Sequence, residues 1–149
     1  MNEPDNILRF KAQTLHALGK LYAAHPRRQF LLFSDLFGEG GPTLAAFEAE
    51  FSETPDPRVQ EGIETIRWLL RHGYIDGAAH QFGARDAGLT PKAWASLDKP
   101  DPLDPSTSMG AKVVAWAKGA ASEGSKAGAS ALGSAAIAAI GKSLGVPGF

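Results

Sequence analysis

The sequence contains no cysteine. Disulfide staples, thiol nucleophiles and thiolate metal sites are excluded together, and the usage fits a reducing cytoplasm. It also lacks a long run of large apolar residues. Its one extended uncharged stretch, residues 127–141, is mostly alanine, glycine and serine, and falls short of the ~20 residues of a membrane-spanning helix. Neither sign of charge is in excess, with 15 Lys and Arg against 16 Asp and Glu. A protein that coats nucleic acid usually carries a clear basic surplus, so that class is disfavoured. The opening Met1-Asn2-Glu3-Pro4-Asp5 is acidic and polar, unlike a secretory leader. Together these absences predict a cytoplasmic location.

What is present falls into three zones along 149 residues. Residues 1–97 have mixed composition and hold most of the aromatics. Residues 98–108 carry three prolines and three aspartates and read as an extended linker. In the last zone, 109–149, glycine and alanine supply 20 of the final 40 positions.

In the first zone Ile7, Leu8, Leu15, Leu18, Leu21 and Tyr22 recur at helical spacing, which predicts an amphipathic helix over 5–24 ended by Pro26. Phe30-Leu31-Leu32-Phe33 is a short strand or helix start. Thr43 is a candidate cap for a helix across Leu44, Phe47 and Phe51. The clearest pattern is Val59, Ile63, Ile66 and Leu70, a helix over 57–72 with Gly73 as its C-cap. Tyr74-Ile75-Asp76-Gly77 then reads as a strand entering a turn. Leu89-Thr90-Pro91 reads as a return strand feeding a helix with Pro91 in its first turn.

The run Trp68-Leu69-Leu70-Arg71-His72-Gly73-Tyr74-Ile75-Asp76-Gly77, followed after a gap by Leu89-Thr90-Pro91-Lys92-Ala93-Trp94-Ala95-Ser96-Leu97, resembles the end of a winged-helix domain. In that family a helix ends in a leucine pair, a glycine turns the chain, and a hairpin wing leads to a helix beginning Leu-Thr-x-x-Gly. Ala93 stands here where that glycine is usual. The likeness is greatest to small winged-helix proteins of bacteria and their prophages. It implies a mainly α fold with a small β-wing, an α+β winged-helix-like domain over 1–97, followed by the linker and a Gly/Ala-rich helical tail. Winged helices serve both as DNA readers and as protein-docking modules.

The resemblance puts the helix at 57–72 in the recognition position. A wheel at about 100° per residue sets Glu61, Thr65, Trp68 and His72 opposite the buried line, with Gln60, Glu64, Arg67 and Arg71 on one flank. Arg67 and Arg71 suit phosphate, but Glu61 and Glu64 oppose it, and Glu64 is spaced to pair with Arg67. Trp68 then has three readings: packing under the C-terminal zone, a partner contact, or a DNA contact. Arg27, Arg28 and Arg85 complete the set of residues available to DNA.

In the tail, Met109, Val113 and Trp116 define one apolar helical stripe. Small residues recur every fourth position, among them Gly124, Gly128, Gly133 and Gly141, a spacing that lets helix backbones approach closely. Glycine costs a helix roughly 1 kcal/mol relative to alanine, so this segment needs a packing partner. That partner is its own core, a second copy, or a membrane met through 124–145.

No enzymatic signature is found. His16, His25, His72 and His80 lack metal-ligand spacing, the serines lack a nucleophile elbow, and Ile140-Gly141-Lys142-Ser143 lacks the first glycine of a P-loop. No catalytic residue, metal site or cofactor is expected. The leading expectation is a small non-enzymatic interaction protein. Its winged helix and tail would mediate self-association or docking to a protein, through Trp68, Arg67, Arg71 and Trp116. The alternatives are a DNA-binding regulator and a membrane-active effector working through the tail.

Overall fold

A computed structural model of the chain describes residues 4–37, 57–101, 104–119 and 125–145. The expected helix across Leu44, Phe47 and Phe51, and Gly124, lie outside the described residues. The fold is mainly helical with a small antiparallel sheet.

Helix α1 (Asp5–Ala24) follows the predicted spacing and is the central rod, burying Leu15, Ala17, Leu18 and Leu21. Strand β1 (Gln29–Leu32) runs into a single 3-10 turn, Phe33–Leu36. Asp35 fixes that turn by accepting the Leu32 N–H at 2.8 Å, and it also holds the Lys20 ammonium. Helix α2 (Pro57–Arg71) ends in a glycine stop. Gly73 has φ +79°, its N–H reaches the Leu70 carbonyl, and the Tyr74 N–H reaches the Leu69 carbonyl at 3.0 Å. These are the paired bonds of a Schellman cap.

Strands β2 (Ile75–His80) and β3 (Gly83–Leu89) form a hairpin, and the sheet order is β1–β3–β2. The sequence placed only the two ends of this hairpin in strands. Its middle, rich in Gly and Ala, has weak strand propensity, but β3 is paired on both sides and so is extended regardless. At Gly83 a Cβ would fall 1.9 Å from the Leu31 carbonyl oxygen, so β1 and β3 meet where only glycine fits.

Helix α3 (Pro91–Asp98) is capped by Thr90, whose hydroxyl accepts the Ala93 N–H and donates to the Gly73 carbonyl at 2.7 Å. One side chain therefore ties the start of α3 to the end of α2. The stretch expected to be an extended linker contains a short ladder instead, β4 (Pro100–Asp101) against β5 (Asp104–Ser108). Asp101 is nearly buried and pairs with Lys112. Ser108 then caps helix α4 (Met109–Lys118) by accepting the Ala111 N–H at 3.0 Å.

The last helix, α5 (Ser125–Leu144), belongs to the same core as α1. Ala129, Ala136, Ile137 and Ile140 are buried in one hydrophobic cluster with Leu15, Leu18 and Tyr74. Small residues permit this closeness. A Cβ on Gly133 would lie 2.8 Å from the Lys11 Cβ of α1, and one on Gly19 would lie 3.3 Å from the Ala117 Cβ of α4. The Tyr22 ring fills the space above Gly110.

Candidate functional site

The line read from the wheel as outward turns toward α1. Thr65 is 4% exposed and donates to the Gln13 side-chain carbonyl at 2.6 Å. Glu61 binds Arg9, with Nε at 2.8 Å from one carboxylate oxygen. Trp68 is half-buried in a ring cluster, 5.1 Å from Phe10 edge-on, 4.6 Å from His72 and 5.0 Å from Tyr74. A single wheel assumes one buried face. This helix lies between α1 and the sheet, so two faces are covered. Leu70, assigned to the buried centre, is only partly covered, whereas Leu69 is fully buried.

The flank that remains in solvent is Gln60, Glu64, Arg67 and Arg71. Gln60 donates to Glu64 at 3.0 Å, and Arg67 reaches the same carboxylate at 3.4 Å. At this exposure such a pair contributes ~0–1 kcal/mol and opens readily for a ligand.

The other candidate arginines separate into two kinds. Arg27 and Arg85 are exposed. Arg28 is a clamp: it pairs with Asp76 of β2 and Asp86 of the hairpin, and its Nε donates to the Asp86 carbonyl at 2.9 Å. It neutralises the two hairpin carboxylates rather than standing free for phosphate.

Trp116 of α4 is half-buried, with its ring 4.9 Å from that of His16. A Cβ on Gly128 would lie 3.3 Å from its Cδ1. Gly133 and Gly141 are buried. Trp116, Gly128 and Gly133, named for partner or membrane contact, are thus engaged within the chain. No helix of the described residues is long and apolar enough to cross a membrane.

Between α2 and the hairpin tip lies a groove of about 240 Å³. Its apolar lining comes from Phe33, Ile66, Leu70 and Ala79, and Arg67, His80 and Gln81 stand among the polar groups along it. His80 shapes the tip: its Nδ1 accepts the Phe82 N–H at 3.1 Å, and its ring lies 4.9 Å from Phe30. Sequence reasoning missed this groove, because residues 78–88 are mostly small or polar and nothing in their pattern marks a cavity wall.

Charge is unevenly spread. Residues 38–56 of the sequence hold five of the 16 Asp and Glu and no Lys or Arg. Local shifts are few. Burial lowers the pKa of His16 and raises that of Tyr74 to about 12. Hydrogen bonds from Ser106 lower Asp104, and the bond to Asp101 raises Lys112.

No protein-family model, curated protein or solved structure matches the chain.

Proposed function

We propose that the chain is a winged-helix-like, non-enzymatic docking protein of the cytoplasm. Its working surface is the outer flank of α2 with the groove beside the β2–β3 hairpin. The element order α1, β1, α2, β2, β3 with sheet order β1–β3–β2 supports the winged-helix part of this reading, together with the hairpin leading directly into α3. Self-association through the glycine rows loses its main support, since Gly128 and Gly133 seat Trp116 and Lys11 of the same chain.

One observation carries the docking reading: the groove has an apolar floor beside arginine. A phosphate backbone gains nothing from Phe33, Ile66 and Leu70, whereas a protein segment buries apolar side chains there. The occupant is an acidic protein segment bearing large apolar residues, because Arg67 lines the groove beside its apolar floor and Arg71 is exposed one turn further along α2.

The test is site-specific photo-cross-linking in the producing cell, with the reactive group at Gln81 on the groove or at Lys92 on α3. Adducts to an acidic protein are expected at 81 and not at 92, and Arg67→Glu/Arg71→Glu removes them. A DNA-binding regulator is the second reading. It is favoured by Glu61 and Trp68 turning inward and by Arg28 cancelling the hairpin acids. It takes over if no adduct forms and the chain binds duplex DNA with an affinity falling steeply with salt, by ~0.9 log units per log unit for each phosphate neutralised.

A further inference from the structure

His16 sits half-buried on α1 with its ring plane tilted 59° to that of Trp116. The Cδ1–Nε1 edge of Trp116 fills the space a side chain would need at Gly128. The imidazole on α1 therefore backs the indole on α4, and the indole backs α5. Nothing in the proposed docking surface uses this stack.

His16 also lines two grooves. The first, about 220 Å³, brings it alongside Lys20 of α1, Asp35 of the 3-10 turn and Lys118 of α4. The second, about 150 Å³, brings it alongside Arg9 of α1 and Arg58 of α2. From α5, Gly128 approaches the far edge of the Trp116 indole. Lys20, Lys118, Arg9 and Arg58 thus share with His16 the lining of these two grooves. Of these groups Asp35 is held by Lys20 and the Leu32 N–H, and Arg9 is held by Glu61.

We propose that His16 is an acid-sensitive latch: the neutral ring seats Trp116, and with it α4 and α5, on α1, and protonation releases both helices. An imidazolium in this position has lost water, and among the described residues lining the two grooves the one carboxylate, Asp35, is already held by Lys20. Attraction to the Trp116 face offsets only part of that cost. Burial lowers the His16 pKa from its ordinary 6.5. The docked state therefore prefers the neutral ring. Its advantage is complete above 6.5 and is lost as pH falls through 6.5 toward the lower folded value.

The test is hydrogen exchange of the full chain between about pH 7.5 and about pH 5, the range in which histidine changes charge. Rates are corrected for intrinsic exchange and compared for α5 and α2. Protection of α5 is expected to fall by about tenfold for each pKa unit of depression, and that of α2 much less. His16→Gln should abolish the difference, and His72→Gln should leave it. Equal pH dependence in His16→Gln, or constant protection in the unaltered chain, overturns the latch. Should His16→Gln fold poorly, an NMR titration of the unaltered chain decides. A Gly128 amide that titrates with the His16 ring supports the latch, and a silent one removes it.

Discussion

The hydroxyl of Tyr74 donates to the main-chain carbonyl of Ile137 at 3.0 Å, joining the turn after α2 to the middle of α5. The bond is fully buried, and it ties the residue that completes the α2 cap to a helix more than sixty positions later in the chain. Tyr74→Phe keeps the ring and its packing on Trp68 and removes only the donor. The expected loss is about 1 kcal/mol, the usual net value of one such bond. Urea denaturation reads it as a lower midpoint at unchanged slope. An unchanged midpoint would mean that α5 is seated by packing alone.

Alkaline pH should act on the same residue. Burial raises the Tyr74 pKa from 10.0 to about 12, so the folded state prefers the neutral phenol. That contribution is complete below 10.0, and it is lost as pH rises from there through about 12. Lysines titrate in this range too, so the informative quantity is the difference between the unaltered chain and Tyr74→Phe. The two stability curves should converge with rising pH. Parallel curves would show that Tyr74 ionises as it does in the unfolded chain.

Gly133 gives a different kind of prediction. Any Cβ there meets the Lys11 Cβ at 2.8 Å, which is backbone-proximal and cannot swing aside. Gly133→Ala should therefore cost ~1–3 kcal/mol through forced separation of α1 and α5, despite the better helix propensity of alanine. The loss should show in urea denaturation at any protein concentration. A loss that grew on dilution would instead reveal an interface between copies.

Local elements were legible in the sequence, and long-range burial was not. The spacing of Leu15, Leu18 and Leu21 defines α1, and Gly73 and Pro91 mark the end of α2 and the start of α3. Those signals act within one helical turn. The orientation of α2 was misread because a wheel ranks residues by hydropathy. Thr65 and Glu61 are polar residues that meet polar partners on α1, namely Gln13 and Arg9. The need of the tail for a packing partner was readable from its glycines. The identity of that partner was not, because Lys11 and Gly19 carry no mark of being contact points. The groove beside the hairpin arises from three separated segments, and no local pattern announces such a meeting.

Gln13 and Thr65 form the buried polar pair that sets how α2 lies on α1, and hence which flank of α2 faces water. Thr65→Val keeps the shape and removes the donor, leaving the Gln13 carbonyl without that bond. Gln13→Leu leaves the Thr65 hydroxyl in the same position. Each single change should cost ~1–3 kcal/mol, the penalty of a buried polar group left unpaired. The double change replaces both partners with apolar groups and should cost less than the sum of the singles. If the pair fixes the orientation of α2, the double variant should recover stability yet expose Arg67 and Arg71 differently. Cross-linking from Gln81 would then weaken although the chain remains folded. Additive single costs would mean that the two side chains are independent, and that packing of Ile63 and Ile66 alone sets the angle of α2.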